Sequence, residues 1–398
     1  MGERDDETVN ELLREAKVEE AREREKALQP IRPHHHPIGD EVAEDLRSMS
    51  GPRDAEAYLD PKAVGLQPLQ SLDLSRVHTF SDLLHAMKHT SFGGRKLGEA
   101  ADVLYEMVAD PDCFVVGTFS GAMTVAKQGL VLCDMIDHGL IQAVVSTGAL
   151  MSHGFIEAAG MRHYKAPEGM NDRQMFYAGF DRVYDTLELE QNLDDTEVIF
   201  RRILEGHDPD DPLCSEAICR ELGRYLVEEM PGRGVLESAF ERDVPVYIPA
   251  FTDSELGLDF ALLNRRRVRE GKRRLPFDPF LDLEDYTRRV LNAERIGIFT
   301  IGGGVPRNWA QQVSPYIDII STRLGHPGKN QRFRYGVRIC PEPVHWGGLS
   351  GCTYSEGVSW GKFIPPREGG RFAEVPSDAT IAWPILVKAV LERLKANR

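Results

Sequence analysis

From about residue 71 onward, short apolar runs alternate with longer stretches of helical spacing. The runs are Cys113–Thr118, Ala143–Ser146, Val244–Pro249, Ile296–Ile301 and Tyr316–Ile320. They are rich in Val and Ile without clean alternation, as strands covered on both faces should be. Helical spacing is predicted over Ala122–Asp137, Ser215–Glu229, Leu256–Arg267, Leu283–Ala293 and Ala379–Lys395. Val125, Leu130, Leu132, Met135 and Ile136 form the apolar face of the first. Pro384 lies inside the last and should kink it or delay its start. Such alternation predicts an α/β fold, a doubly wound, mainly parallel sheet with helices on both faces.

Residues 1–70 follow a different pattern. Val9, Leu12, Leu13 and Ala16 fall at helical spacing within a segment dense in Glu, Arg and Lys, which predicts a charged helix. Pro30, Pro33 and Pro37 then break the chain, and His34, His35 and His36 sit between two of them. A histidine tract can bind metal. Three consecutive residues converge poorly on one ion, however, so a flexible linker is the stronger reading. The expected division is an extension over 1–70 and a single nucleotide-binding α/β domain over 71–398.

Composition narrows the class. The 398 residues, 41% hydrophobic and 28% charged, suit a soluble globular protein. A formal charge of −15 argues against nucleic-acid binding and suits cationic small molecules. The six cysteines form no CxxC pair and read as reduced thiols of a cytoplasmic protein. No apolar run is long enough for a membrane span, and the charged N-terminus is not a secretory signal.

Candidate chemistry lies where strands end. Gly117–Thr124 follows the first strand and opens the first predicted helix, where free N–H groups suit a phosphate, although the usual GxGxxG fingerprint is absent. Ser146 and Thr147 follow the second strand, Asp253 the third, and Gly302, Gly303 and Gly304 the fourth. Four such ends in succession favour a bound nucleotide. Further on, Tyr354–Lys362 places Glu356, Trp360 and Lys362 within seven residues, beside Gly357 and Gly361. A lysine in an apolar or aromatic setting loses its proton readily and attacks carbonyl or imine carbon. Trp360 would cover the cationic part of a substrate, and Glu356 would hold an ammonium group. Read alone, the stretch is more readily a loop with a solvated lysine.

These strand ends, together with Glu356–Lys362 and Asp378–Thr380, resemble the deoxyhypusine synthase family over roughly residues 75–395. The resemblance implies a doubly wound fold that binds NAD, and a homotetramer with active sites at dimer interfaces. It implies hydride removal from spermidine, attack by a lysine on the resulting imine, and transfer of the aminobutyl group to an acceptor amine. Lys362 then matches the imine-forming lysine, Trp360 the aromatic over the polyamine, and Glu356 an amine-anchoring acid. Ser120 and Thr124 match hydroxyls near the cofactor, and Thr147, at the second strand end, is a further cofactor candidate. Asp253, Gly302, Gly303, Gly304 and Asp378 match further cofactor positions. A family N-terminal helix covers the site, and the helix expected in 1–28 would pack at a subunit surface or site entrance.

The departures bear on the substrate. The glycine loop continues Pro306-Arg307-Asn308-Trp309 where the eukaryotic synthases carry two histidines. Leu349 replaces one anchoring Asp. A second aligns near Leu258, with Asp259 adjacent, and a Glu aligns near Ser152-His153. Burying an ammonium without its partner costs about 3–5 kcal/mol, so the substrate should be less cationic or differently spaced. His153 or His345 could carry a proton, although a structural role outweighs that for each. Three readings compete: a homospermidine-synthase-like transferase of small polyamines, a true synthase acting on a lysine of a translation initiation factor, and a non-catalytic NAD-binding assembly protein. The first is the leading expectation.

Overall fold

In the computed structural model the described residues are 58–398, apart from 231, 326–328, 349 and 397–398. The helix expected in 1–28 and the His34–His36 tract lie outside them. Met1–Leu69 and Gln70–Arg398 are separate compact units, and the described part of the first holds a turn at 61–65.

The described strands of the second unit are β1 (Cys113–Phe119), β2 (Ala143–Ser146), β3 (Tyr164–Lys165), β4 (Phe180–Val183), β5 (Thr186–Leu189), β6 (Val246–Tyr247), β7 (Arg295–Ile301), β8 (Phe333–Ile339) and β9 (Arg371–Val375). One sheet runs β6-β2-β1-β7-β8-β9, with every pair parallel. The other, antiparallel and ordered β3-β5-β4, is an excursion between β2 and β6. Counted along the chain, the main sheet has the order 3-2-1-4-5-6, which reverses direction between β1 and β7. Sheets of this order bind ligands beyond their carboxyl ends at that reversal.

Alternate strand residues enter opposite cores. Val115, Phe119, Val144, Phe299 and Ile301 join helices Phe92–Ala109, Gly148–Ala158, Glu255–Arg269 and Ala379–Ala396. Val116, Ala143, Val145, Ile296 and Ile298 join helices Pro279–Asn292, Gly304–Gln311 and Val313–Leu324. Each fully buried Val, Leu, Ile or Phe contributes about 1.5–3 kcal/mol. Both faces being apolar explains why the strands show no alternation in sequence.

Several boundaries differ from expectation. Tyr316–Ile320 is part of helix Val313–Leu324. A five-residue apolar run is ambiguous between strand and buried helix, and here Val313 and Ile317, four apart, face the core. Two further strands, Phe333–Ile339 and Arg371–Val375, show no unbroken apolar run, because Arg334 and Arg338 interrupt the first and Glu374 the second. Arg338 is nevertheless buried, its guanidinium donating to the carbonyls of Ser350, Gly351 and Cys352. The first predicted helix starts at Gly129 rather than Ala122, because left-handed Lys127 (φ +62°) ends the preceding turn. Pro384 sits inside its helix without delaying the start at Ala379.

Candidate active site

The reversal point brings together Ser120, just past β1, and Gly302–Gly304, just past β7. Ser120 donates its backbone N–H to Ile301 O at 3.1 Å. Its hydroxyl donates to Gly303 O and accepts the Gly303 N–H. Gly302 has φ +75°, and a β-carbon there would stand 3.1 Å from that of Ser120, so glycine keeps the crevice open. Thr147 donates to Gly121 O at 2.6 Å, joining the loops after β1 and β2. Helices open at Gly148, Glu255 and Gly304, just past β2, β6 and β7, and their first N–H groups favour an anion. The β1 loop opens no helix until Gly129, so the free N–H groups that suit a phosphate lie at these three ends instead.

The other expected cofactor residues are placed differently. Thr124 is 1% exposed and donates to Leu150 O, so it belongs to the packed floor. Asp253 and Asp378 are exposed, past β6 and β9. These are opposite edge strands, about 24 Å apart by interstrand spacing, so the two acids would meet different ends of a ligand. Asp378 also accepts the Thr380 N–H at 2.9 Å and caps the last helix.

The lysine segment is built by two helix caps. Thr353 and Glu356 form a capping box at the start of helix Tyr354–Ser359, with Glu356 accepting the Thr353 N–H at 3.0 Å. Gly361, at φ +68°, donates to Val358 O, and Lys362 donates to Gly357 O, each at 3.0 Å. This is a Schellman termination, which needs the left-handed residue that glycine supplies at no steric cost. The chain then joins β8, with Lys362 O accepting from Phe333 N at 2.9 Å and Ile364 donating to Phe333 O at 3.0 Å. Helix end and strand edge together fix the backbone of Lys362.

Its side chain enters the core side that carries helix Gly304–Gln311. Lys362 is 8% exposed and its Nζ lies 3.1 Å from Asn308 Oδ1. Nζ also lies 6.0 Å from the centre of the Trp360 ring, which is 70% exposed. Burial holds its proton affinity below the usual lysine range, and the Arg307 guanidinium adds to the effect. Arg307 is 4% exposed and lies 5.3 Å from the centre of the Tyr354 ring. Its buried Nε has no hydrogen-bond partner, and burial lowers its proton affinity too. Among the described residues neither cation has an ion pair. Sequence marks Arg307 and Asn308 only as standing where the family has histidines; their approach to Lys362 depends on the turn that brings the lysine to them. Trp309 stacks on Tyr286 with ring centres 5.2 Å apart and so fills the core.

Acidic groups gather on the other side of the sheet. Burial, then Glu197 and Glu255, push Asp259 up to about 7. Its helix packs into the core opposite the one holding Phe363, the neighbour of Lys362. One chain therefore does not bring Asp259 to Lys362. Leu258 is exposed, His345 lies in an exposed loop, and Leu349 falls outside the described residues. His153 is buried against Glu188. A cavity of about 700 Å³ opens at the carboxyl ends of β8 and β9, lined by Arg338, Glu342, Thr353, Tyr354 and Glu374.

The sequence matches the family model described as deoxyhypusine synthase over residues 82–390. It is 33% identical over 318 residues to a probable deoxyhypusine synthase 2 of Methanosarcina acetivorans, covering 79% of this chain and 87% of that one. It is 30% identical over 325 residues to a deoxyhypusine synthase-like protein of Chlorobaculum parvum, covering 80% and 88%. A crystal structure from Entamoeba histolytica bearing the same family name shares the fold. Its TM-score is 0.53 at 13% identity, covering 81% of this chain and 97% of that one.

Proposed function

Because the chain belongs to the deoxyhypusine synthase family, we propose that it is an NAD-dependent transferase. It moves an aminobutyl-type group from a polyamine to a small acceptor amine, in the manner of homospermidine synthase. The observation that carries this is Lys362, an amine withdrawn from water, beside a second buried cation and without a counter-ion among the described residues. That setting favours the neutral nucleophile an imine-forming step requires.

The crevice at the strand reversal fits a dinucleotide, being glycine-floored and ringed by three helix N-termini. Ser120, Thr147 and Gly302–Gly304 would hold it there, with Asp253 and Asp378 toward opposite ends. Thr124 supports these loops from beneath. NAD, when bound, supplies a two-electron hydride acceptor and donor. Neutral Lys362 attacks the substrate imine carbon, and the C–N bond to the departing diamine breaks as that nitrogen takes a proton. Asn308 Oδ1 accepts a hydrogen bond from the lysine nitrogen and fixes its direction of attack. Trp360 offers an exposed aromatic face to the substrate cation. The acceptor amine then displaces Lys362, whose nitrogen departs with a proton, and the hydride that NAD would hold would make the whole transfer redox-neutral.

Glu356 serves its helix cap through Oε2, and the Thr353 N–H holds its carboxylate below the usual range, with Cys352, the Thr353 hydroxyl and lastly Arg307 adding to the effect. It stays ionised and available to an ammonium group. Asp259 and its neighbours lie across the sheet from Lys362, which supports a site shared between chains of a homotetramer. No described helix is long and apolar enough to cross a membrane. The cysteines are free, which accords with a cytoplasmic setting.

The test incubates the protein with NAD, spermidine and putrescine. The expected products are diaminopropane and homospermidine, absent with Lys362→Ala. Spermidine cleavage only when a protein lysine is the acceptor would overturn the small-amine reading. Absence of cleavage with every amine, despite bound NAD, would overturn the transferase.

A further inference from the structure

On the face of the main sheet opposite Lys362, three ligand-type atoms converge. His153 projects from helix Gly148–Ala158, His163 lies just beyond that helix, and Glu188 lies on β5. Glu188 Oε2 is 3.1 Å from His153 Nδ1 and 2.6 Å from His163 Nε2, and the two nitrogens are 3.4 Å apart. All three side chains are buried. Three donors each about 2.0–2.2 Å from one ion stand roughly 3 Å apart. The observed triangle has that size, with a ligand set of two imidazoles and a carboxylate.

We propose that His153, His163 and Glu188 bind one divalent transition metal, zinc by ligand chemistry, which clamps the β3-β5-β4 excursion to helix Gly148–Ala158. The surroundings suit the role. Glu188 Oε1 is already held by Asn192 Nδ2 at 2.5 Å and by the Leu189 N–H at 3.1 Å. This leaves Oε2 directed at the two imidazoles, as orienting partners do around a metal. The donor set is the two-histidine, one-carboxylate face seen with zinc and ferrous iron. The fourth position would take water.

One feature opposes the ion and sharpens the test. Lys127 Nζ is 2.9 Å from His163 Nδ1 and 3.4 Å from Glu157. Metal at Nε2 places the imidazole proton on Nδ1, toward that ammonium. Binding therefore sends Lys127 to Glu157, and replacing it with an acceptor should tighten the site.

The experiment uses the full chain with His34, His35 and His36 changed to alanine, so that the tract cannot contribute. Cobalt(II) is titrated in and read by its visible d–d absorption, then displaced with zinc, while circular dichroism checks folding. One cobalt per chain is expected, with the signal lost in His163→Ala and in Glu188→Gln. Asn192→Ala should weaken binding about 10–100-fold, and Lys127→Gln should strengthen it. A chain that gives no d–d band overturns the proposal, as does a band unchanged in His163→Ala and Glu188→Gln. Should those two variants unfold, the Asn192 and Lys127 variants decide, and unchanged affinity in both overturns it. The readout is independent of turnover, so it stands or falls apart from the transferase reading.

Discussion

At Lys362 two buried cations have no ion pair among the described residues, whereas at Glu188 one buried carboxylate gathers His153, His163, Asn192 and the Leu189 N–H. The elements carrying them lie on opposite faces of one sheet. The burial is similar and the electrostatics are opposite. Burial pushes Lys362 and Arg307 toward their neutral forms. Glu188 is driven the other way, its proton affinity falling far below the usual range because the hydrogen bonds from its neighbours outweigh the burial. A charge left unpaired in a core is costly, and a protein that retains one has it available for a ligand. A charge fully paired adds stability and holds its partners in place.

The difference is open to direct attack. Lys362→Met should remove all transferase activity while leaving the protein as stable as before or more so, measured by turnover and by urea unfolding. The sign follows from linkage. The folded lysine has the lower pKa, so between the two pKa values the unfolded chain binds more protons and stability rises with pH. Lys362→Met should flatten that rise.

Glu188→Ala should do the reverse, costing about 3 kcal/mol or more by stranding buried donors, with the loss read from the urea midpoint. The folded carboxylate has the depressed pKa, so its contribution is full above the ordinary carboxylate value of about 4.3. It declines as pH falls toward the folded value, and the gap between wild type and variant should close on acidification.

Gly361→Ala places a β-carbon in the left-handed region at φ +68°. A cost of about 1–2 kcal/mol is expected, together with a fall in turnover as Lys362 shifts from Asn308. Thr353→Ala removes one cap of the lysine helix, for a loss of about 1 kcal/mol. Arg307→Met should have the smallest effect on stability, yet it removes the cation that helps deprotonate Lys362. The acid limb of the pH–rate profile should move to higher pH, and Arg307→Lys should restore it.

The sheet was legible wherever apolar runs were uninterrupted, as at Ala143–Ser146 and Ile296–Ile301. It was hidden at β8 and β9, where Arg338 and Glu374 stand in strands and find partners no local pattern reveals. The residues of the lysine segment were legible because Ser-Trp-Gly-Lys is compact in sequence. Their partners were not, since Asn308 precedes Lys362 by 54 residues. His153, His163 and Glu188 were equally opaque, because only the β3-β5-β4 excursion returns Glu188 to the histidines. The helix expected after β1 failed at Lys127, a residue with no sequence mark of a left-handed turn.

In the proposed transfer the nitrogen of Lys362 forms the covalent bond to the substrate. The most direct measurement incubates the protein with NAD and spermidine, adds borohydride, and maps the modified residue by peptide mass spectrometry. An aminobutyl adduct is expected on Lys362 and none in Lys362→Ala. An adduct at another residue, or trapping that persists in Lys362→Ala, would contradict it.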